Sequence, residues 1–297
     1  MTIKRVGLIG VGLMGHGIGK NILAGGYELI VMAHRNRGPV DDLISKGAQE
    51  RSNPLAVAKD SDMVILCVTG TPQIEQLIYG EYGLMGAVRK DLVIADCSTA
   101  EPASTIRIAA DVEAKGGHFV DTPMTRTPKE AEAGKLGLMT GGPADVIARI
   151  RPVLECFSDT IVHAGAAGTA HQLKLINNFL SICHAAVAAE AITVAAKAGV
   201  DMHALKDIVM AGGAQSVMFG RLINVPLADD DSAAQFAIRN ARKDLRYYTN
   251  MTEQLPVTSF LAETAHQMTV MADNMGYGER FLPRLIDVLM KVNGVKS

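Results

Sequence analysis

Apolar residues fall into two regimes along this chain. Up to about residue 166 they come in short, nearly uninterrupted runs at 6–9, 28–32, 63–68, 92–96 and 118–121, separated by stretches with helical spacing or turn residues. Runs of this length without polar alternation are expected of strands buried on both faces, so they predict a parallel sheet covered by helices. Two further strand-like runs follow at 137–140 and 160–163. Beyond residue 167 spacings of three and four take over, which predicts helices over roughly 170–198, 202–210, 234–252, 256–274 and 280–291, punctuated by Pro226, Pro256 and Gly276-Tyr277-Gly278. The expected architecture is an α/β domain over 1–166 followed by an all-α domain over 167–297, and 297 residues suffice for two separate cores.

The first run leads into Gly7-Leu8-Ile9-Gly10-Val11-Gly12-Leu13-Met14-Gly15, ahead of a helix expected over 13–25. Gly10, Gly12 and Gly15 give the G-x-G-x-x-G spacing that opens a Rossmann-type dinucleotide domain. The first glycine allows the tight turn, the second lets backbone approach a pyrophosphate, and the third lets helix and strand pack closely. The helix N-terminus, with Leu13 and Met14 in its first turn, offers free N–H groups to the phosphates. In such domains an acid at the end of the second strand holds the ribose 2′-hydroxyl of NAD. Here that position reads Met32-Ala33-His34-Arg35-Asn36-Arg37, with no acid and two guanidinium groups suited to a 2′-phosphate. NADP is the expected cofactor, with NAD still open. Which of His34, Arg35, Asn36 and Arg37 meets the phosphate is undecided at this level.

Composition narrows the classes further. A formal net charge of −2 with scattered basic residues gives no reason to expect nucleic acid or a membrane surface. Cys67, Cys97, Cys156 and Cys183 are widely spaced, which argues against a disulfide framework and for a reducing cytoplasm; no targeting segment is expected ahead of the first strand. The longest apolar stretch, 179–200, is interrupted by His184, Glu190 and Lys197 and reads as a buried helix rather than a span. No histidine or cysteine spacing suggests a metal, and neither a G-x-S-x-G elbow nor a P-loop is present.

Hydride transfer involving an alcohol also needs a group that gives or takes the hydroxyl proton. The candidate lies in Gly168-Thr169-Ala170-His171-Gln172-Leu173-Lys174-Leu175-Ile176-Asn177-Asn178, where Lys174, Asn178 and Ser181 share one helical face and Asn177 lies beside them. Two readings of Lys174 stand. Apolar surroundings would desolvate its ammonium and lower its pKa to a useful range; alternatively it is a structural lysine whose head reaches water, with the asparagines capping nearby backbone. His171, one turn earlier, reads as a satisfied interface histidine.

Four segments together resemble the β-hydroxyacid dehydrogenase family, which includes 3-hydroxyisobutyrate dehydrogenase, tartronate semialdehyde reductase and, more distantly, 6-phosphogluconate dehydrogenase. They are residues 7–15, Asp121-Thr122-Pro123-Met124-Thr125, residues 168–178, and Arg242-Lys243-Asp244-Leu245. The resemblance implies that Lys174 is the general acid/base, that Asn178 orients the substrate, and that Lys243 sits beside cofactor and substrate. It also implies that Ser98-Thr99 and Cys67-Val68-Thr69 line the dinucleotide, and that the chain forms a homodimer or homotetramer. Where the family's substrate loop continues Ser-Gly-Gly, this chain has Thr125-Arg126-Thr127. Thr125 keeps a hydroxyl, while Arg126 brings a guanidinium able to grip an anion or to turn outward onto Glu130 or Glu132. Arg126-Thr127 with Asn177 and Ser181 is similar to the sulfolactaldehyde reductase branch, which recognises a sulfonate; that branch has a glycine at Thr125. The expected activity is hydride transfer between nicotinamide and a small 3-hydroxy acid or its semialdehyde. Sulfonate recognition, an imine reductase and a non-catalytic nucleotide-binding scaffold are the alternatives, and retention of Lys174 counts against the last two.

Overall fold

The computed structural model describes residues 2–295. It divides into two compact units, Met1–Lys174 and Leu175–Ser297. In the first unit the elements run β1 (Arg5–Ile9), α1 (Leu13–Ala24), β2 (Glu28–Met32), α2 (Gly38–Ser45), β3 (Gln49–Glu50), α3 (Pro54–Asp60), β4 (Met63–Leu66), α4 (Thr71–Tyr79), β5 (Val93–Asp96), α5 (Pro102–Glu113) and β6 (His118–Asp121). They continue with β7 (Met124–Thr125), α6 (Pro128–Glu132), β8 (Leu136–Gly141), α7 (Ala144–Leu154) and β9 (Ser158–Gly165).

The sheet order is β3-β2-β1-β4-β5-β6-β8-β7, with β9 paired to β8. From β3 to β6 every pairing is parallel, and β4 and β5 are buried at all positions. One face buries Leu8, Ile18, Val31, Ile65 and Phe157, and the other Ile9, Val64, Leu66, Ile74 and Ile94. Odd and even residues of β1 and β4 thus feed opposite cores, which is why their sequences show no polar alternation. The chain order reverses between β1 and β4, and in open sheets of this kind ligands bind beyond the strand C-termini at that point.

The five runs read as a parallel sheet are parallel as expected; the run at 137–140, for which no direction was expected, forms β8, antiparallel to β6 and β7. Residues 122–135 turn back directly through β7 and the single-turn helix α6, without the long crossover that a parallel return requires.

Helix α8 (Thr169–Lys197) spans the division between the units. It is long and apolar enough to cross a membrane by length and composition, but half of its most apolar window is buried within the chain. The second unit continues with α9 (Met202–Ala211), α10 (Val217–Leu222), α11 (Asn224–Ala228), α12 (Ile238–Gln254), α13 (Phe260–Ala272) and α14 (Leu285–Val292) around a core that includes Ile192, Leu222, Ile238, Leu245 and Leu285. Helices α12, α13 and α14 start four to five residues later than expected. A 3₁₀ turn at Ser232–Ala234 precedes α12, and another at Leu282–Arg284, opened by Pro283, precedes α14.

Candidate active site

The strand C-termini of the first unit carry most of the residues expected to bind cofactor. After β1, Gly10 takes φ +105°, a conformation open to glycine, and a Cβ there would collide with the Cys67 carbonyl oxygen. A Cβ on Gly15 would strike the Gly10 carbonyl, so the first turn of α1 lies directly on the glycine turn. Gly12, the N-cap of α1, has nothing within 4 Å of its Cβ position and provides no side-chain cap. Leu13 is exposed and Met14 half-buried. The unshielded N–H groups of α1 therefore open onto free space, a cradle that fits the pyrophosphate of a dinucleotide.

Past β2, His34, Arg35, Asn36 and Arg37 are all exposed. Asn36 Oδ1 accepts from the Gly38 N–H at 3.2 Å, closing the loop onto α2. Arg37 is engaged within the unit. Its guanidinium bonds Glu50 at 3.0 Å and Asp41 at 2.9 Å, and that pairing holds the Glu50 carboxyl below its ordinary range. Among the described residues Arg35 and His34 have no side-chain partner.

The turns after β4 and β5 are tied together. The Val68 N–H donates to Ser98 Oγ at 3.0 Å, and the Ser98 N–H donates to Asp96 Oδ1 at 2.9 Å. Cys67 opens the first turn with Thr69 exposed at its far end, and Thr99 is half-buried beside Ser98. Burial pushes the Cys67 thiol up to about 12, so it lines the turn as a neutral thiol rather than a nucleophile.

The loop after β6 departs from expectation in two places. Thr125 Oγ1 donates to the Gly137 carbonyl at 3.3 Å. Arg126 stands at φ +79°, and its guanidinium grips the Asp159 carboxylate of β9 at 2.7–2.8 Å and the Lys135 carbonyl. It pairs with neither Glu130 nor Glu132. Glu130 closes a capping box with Thr127 at the start of α6, and Glu132 bonds His16 and Lys20. The Thr127 hydroxyl and the Arg126 fork are thus both engaged inside the unit.

At the start of α8, Asp121 takes the Gly168 and His171 N–H groups on its two carboxylate oxygens, each at 2.9 Å. His171 is fully buried and only half satisfied. Its Nδ1 is 2.7 Å from Thr105 Oγ1, whereas Nε2 has no hydrogen-bond partner. Lys174, one turn further along the helix, is half-buried.

In the second unit the buried Asn178 donates from Nδ2 to Asp244 Oδ2 at 2.6 Å and is approached on Oδ1 by Asn177 Nδ2 at 3.2 Å. Lys243 Nζ lies 2.7 Å from Asp244 Oδ1 and 4.8 Å from the Tyr247 ring centre. Ser181 is half-buried on α8, and Phe179 stacks on Tyr248 with centroids 4.4 Å apart. Asp244 joins Asn178 to Lys243 but has no distinct role in the sequence reading. The available signal was an acid at an apolar position of α12, between Ala241 and Leu245, both fully buried.

Two family models cover the chain: the NAD-binding domain of 6-phosphogluconate dehydrogenase over residues 5–165, and the NAD-binding domain of NADP-dependent 3-hydroxyisobutyrate dehydrogenase over residues 168–289. The chain belongs to the β-hydroxyacid dehydrogenase family. As a β-hydroxyacid dehydrogenase it is an NAD(P)-dependent oxidoreductase of the hydroxyacid and semialdehyde class. It is 29% identical to 3-sulfolactaldehyde reductase of Escherichia coli K12 over 94% of this chain and 93% of that one. It is 31% identical to 3-hydroxyisobutyrate dehydrogenase of Pseudomonas aeruginosa over 81% and 82%. A 3-hydroxyisobutyrate dehydrogenase structure from Salmonella typhimurium superposes with TM-score 0.85 at 26% identity, covering 96% of this chain and 99% of that one.

Proposed function

We propose that this β-hydroxyacid dehydrogenase is a cytoplasmic, NADP-preferring reductase of a small semialdehyde bearing a remote acid group, reversible toward the 3-hydroxy acid. The observation that carries this reading is the series of buried Asn178, buried Asp244 and half-buried Lys243, with Lys174 one helical turn before Asn178 on α8. Such a series fixes the Asn178 amide and leaves its second N–H to hold a substrate oxygen. Bound NADP supplies the hydride. Lys174 gives the proton to the oxygen of the reduced carbon and takes it back in the oxidative direction. Lys243 sits beside the cofactor and substrate.

Gly10, Gly12, Leu13, Met14 and Gly15 cradle the pyrophosphate, and Arg35 with His34 takes the 2′-phosphate. Residues 67–69 line the dinucleotide, and Ser98 and Thr99 lie near the nicotinamide. Thr125, Asn177, Ser181 and the backbone at Thr127 hold the distal acid, and binding that anion orients the carbonyl. Arg126 reaches it only by exchanging Asp159 for the substrate. A sulfonate substrate is the second reading, favoured by the guanidinium in the loop and by the sulfolactaldehyde reductase among the relatives. Pairing of two copies through α8, where Ile176, Leu180, Val187 and Val194 are exposed, completes the proposal.

The test is the initial rate of NADPH and NADH oxidation against tartronate, methylmalonate and succinate semialdehydes and sulfolactaldehyde. Preference for NADPH with one carboxylate semialdehyde is expected. Selective turnover of sulfolactaldehyde would replace the carboxylate by a sulfonate, and no turnover of any of the four would overturn the substrate class.

A further inference from the structure

Asp96 and His171 are both fully buried in the first unit, and each leaves one polar atom unused. Asp96 Oδ1 holds the Ser98 N–H, but Oδ2 has no partner. His171 Nδ1 meets Thr105 Oγ1, but Nε2 has none. The two idle atoms face each other at 3.8 Å, beyond a hydrogen bond but within ion-pair range. A buried acceptor or donor left without a partner is costly, so two facing each other are poised to close. Burial pushes the Asp96 carboxyl up, and the neighbouring imidazole opposes that rise.

The location gives this pair its meaning. Asp96 ends β5, and its other oxygen fixes the turn carrying Ser98 and Thr99, which in turn receives the Val68 N–H. His171 is three residues before Lys174, on the same side of α8, and its backbone N–H is anchored by Asp121. We propose that Asp96 and His171 act as a positioning pair, sharing one hydrogen to lock the first turn of α8, and with it Lys174, to the turn that lines the cofactor. Neither touches the reacting atoms. Closing the gap to about 2.8 Å takes about 1 Å of movement at this junction, and a shift of that size at Lys174 matters for proton transfer. The inference rests on Lys174 being the acid/base.

The test compares His171→Leu, which removes both ring nitrogens, with His171→Gln, which restores a donor. Expected for His171→Leu is a kcat at least tenfold lower with KM and NADPH affinity within about threefold, and faster amide hydrogen exchange confined to residues 169–174. His171→Gln should recover most of both losses. Where the leucine variant does not fold, Thr105→Val frees the ring from its Nδ1 partner and should give a smaller change of the same kind. Wild-type kcat and exchange in a folded leucine or valine variant would overturn the proposal. So would losses in the glutamine variant equal to those in the leucine variant. Lys174→Ala, measured alongside, separates the two ideas: if it stays active, the acid/base reading fails, whatever His171 does.

Discussion

At Arg126 two effects compete. The left-handed φ of +79° is unfavourable for any residue with a Cβ, and it falls where the family's loop carries glycine. Against that stands an ion pair with Asp159 in which both side chains are over a third exposed, a geometry that contributes little. Arg126→Gly should therefore leave the melting temperature unchanged or raise it by roughly 2 °C. If the guanidinium leaves Asp159 to hold the substrate anion, the same variant raises KM at least tenfold; an unchanged KM would assign it to the loop alone. Arg35 has the opposite character, exposed and without a side-chain partner. Arg35→Ala should raise the KM for NADPH by about 10–100-fold, the worth of a charge-assisted phosphate bond, and leave NADH unaffected. Equal effects on both cofactors would remove Arg35 from the 2′-phosphate. Asn178→Ala strips a buried carboxylate oxygen of its donor, so unfolding should show a loss of about 1–3 kcal/mol besides the loss of turnover.

Helices α1, α2 and α6 meet at His16, whose Nδ1 lies 2.6 Å from Glu132 and Nε2 2.7 Å from Asp42. Both ring nitrogens can donate to carboxylates only in the imidazolium form. Burial works against that charge, but the two carboxylate bonds outweigh it, and His16 is raised above 6.5. Its contribution to stability is thus fully present below the ordinary histidine value and is lost as pH rises through the raised one. On the acid side the clasp persists, because Lys46 and His16 hold Asp42 low, while Lys20 and His16, against burial, hold Glu132 low. The melting-temperature gap between wild type and His16→Gln should be widest near about pH 5–6 and narrow toward pH 9. A gap constant over that range would mean a neutral ring.

The same scale shows what a sequence can disclose. Strand β2 matches its expected bounds because a short run buried on both faces is apolar at nearly every position, and β6 matches although His118 and Asp121 flank its apolar pair. The two-residue strand β3, Gln49–Glu50, has no such signature, and the direction of β8 is set by the length of its connection, which periodicity does not encode. Gly10 and Lys174 stood out because their motifs are local. Asp244 meets Asn178 across 66 residues, and Asp96 meets His171 only once β5 and α8 are placed, so the buried carboxylates of the site emerged only with the fold.

For the whole molecule, the apolar side of α8 raises the question of assembly. Val187 and Val194 are 68% and 61% exposed, one heptad apart on a helix of 29 residues. A charge placed there touches nothing within the described chain that needs an apolar partner. Val187→Glu should leave the monomer folded and shift light scattering from a dimer or tetramer toward a single copy; a wild-type monomer would refute association through α8. Dinucleotide binding should also raise the melting temperature, because ligand at about 100 times its Kd adds about 2.7 kcal/mol to the folded state.

The decisive measurement is kcat for Lys174→Ala beside its NADPH affinity by fluorescence titration. The expected result is a fall in kcat of about 10²–10⁴-fold with the Kd within about twofold of wild type, the signature of a lost acid/base in an intact cofactor site. Near-wild-type kcat in a variant that binds NADPH normally would contradict the assignment of the proton to Lys174.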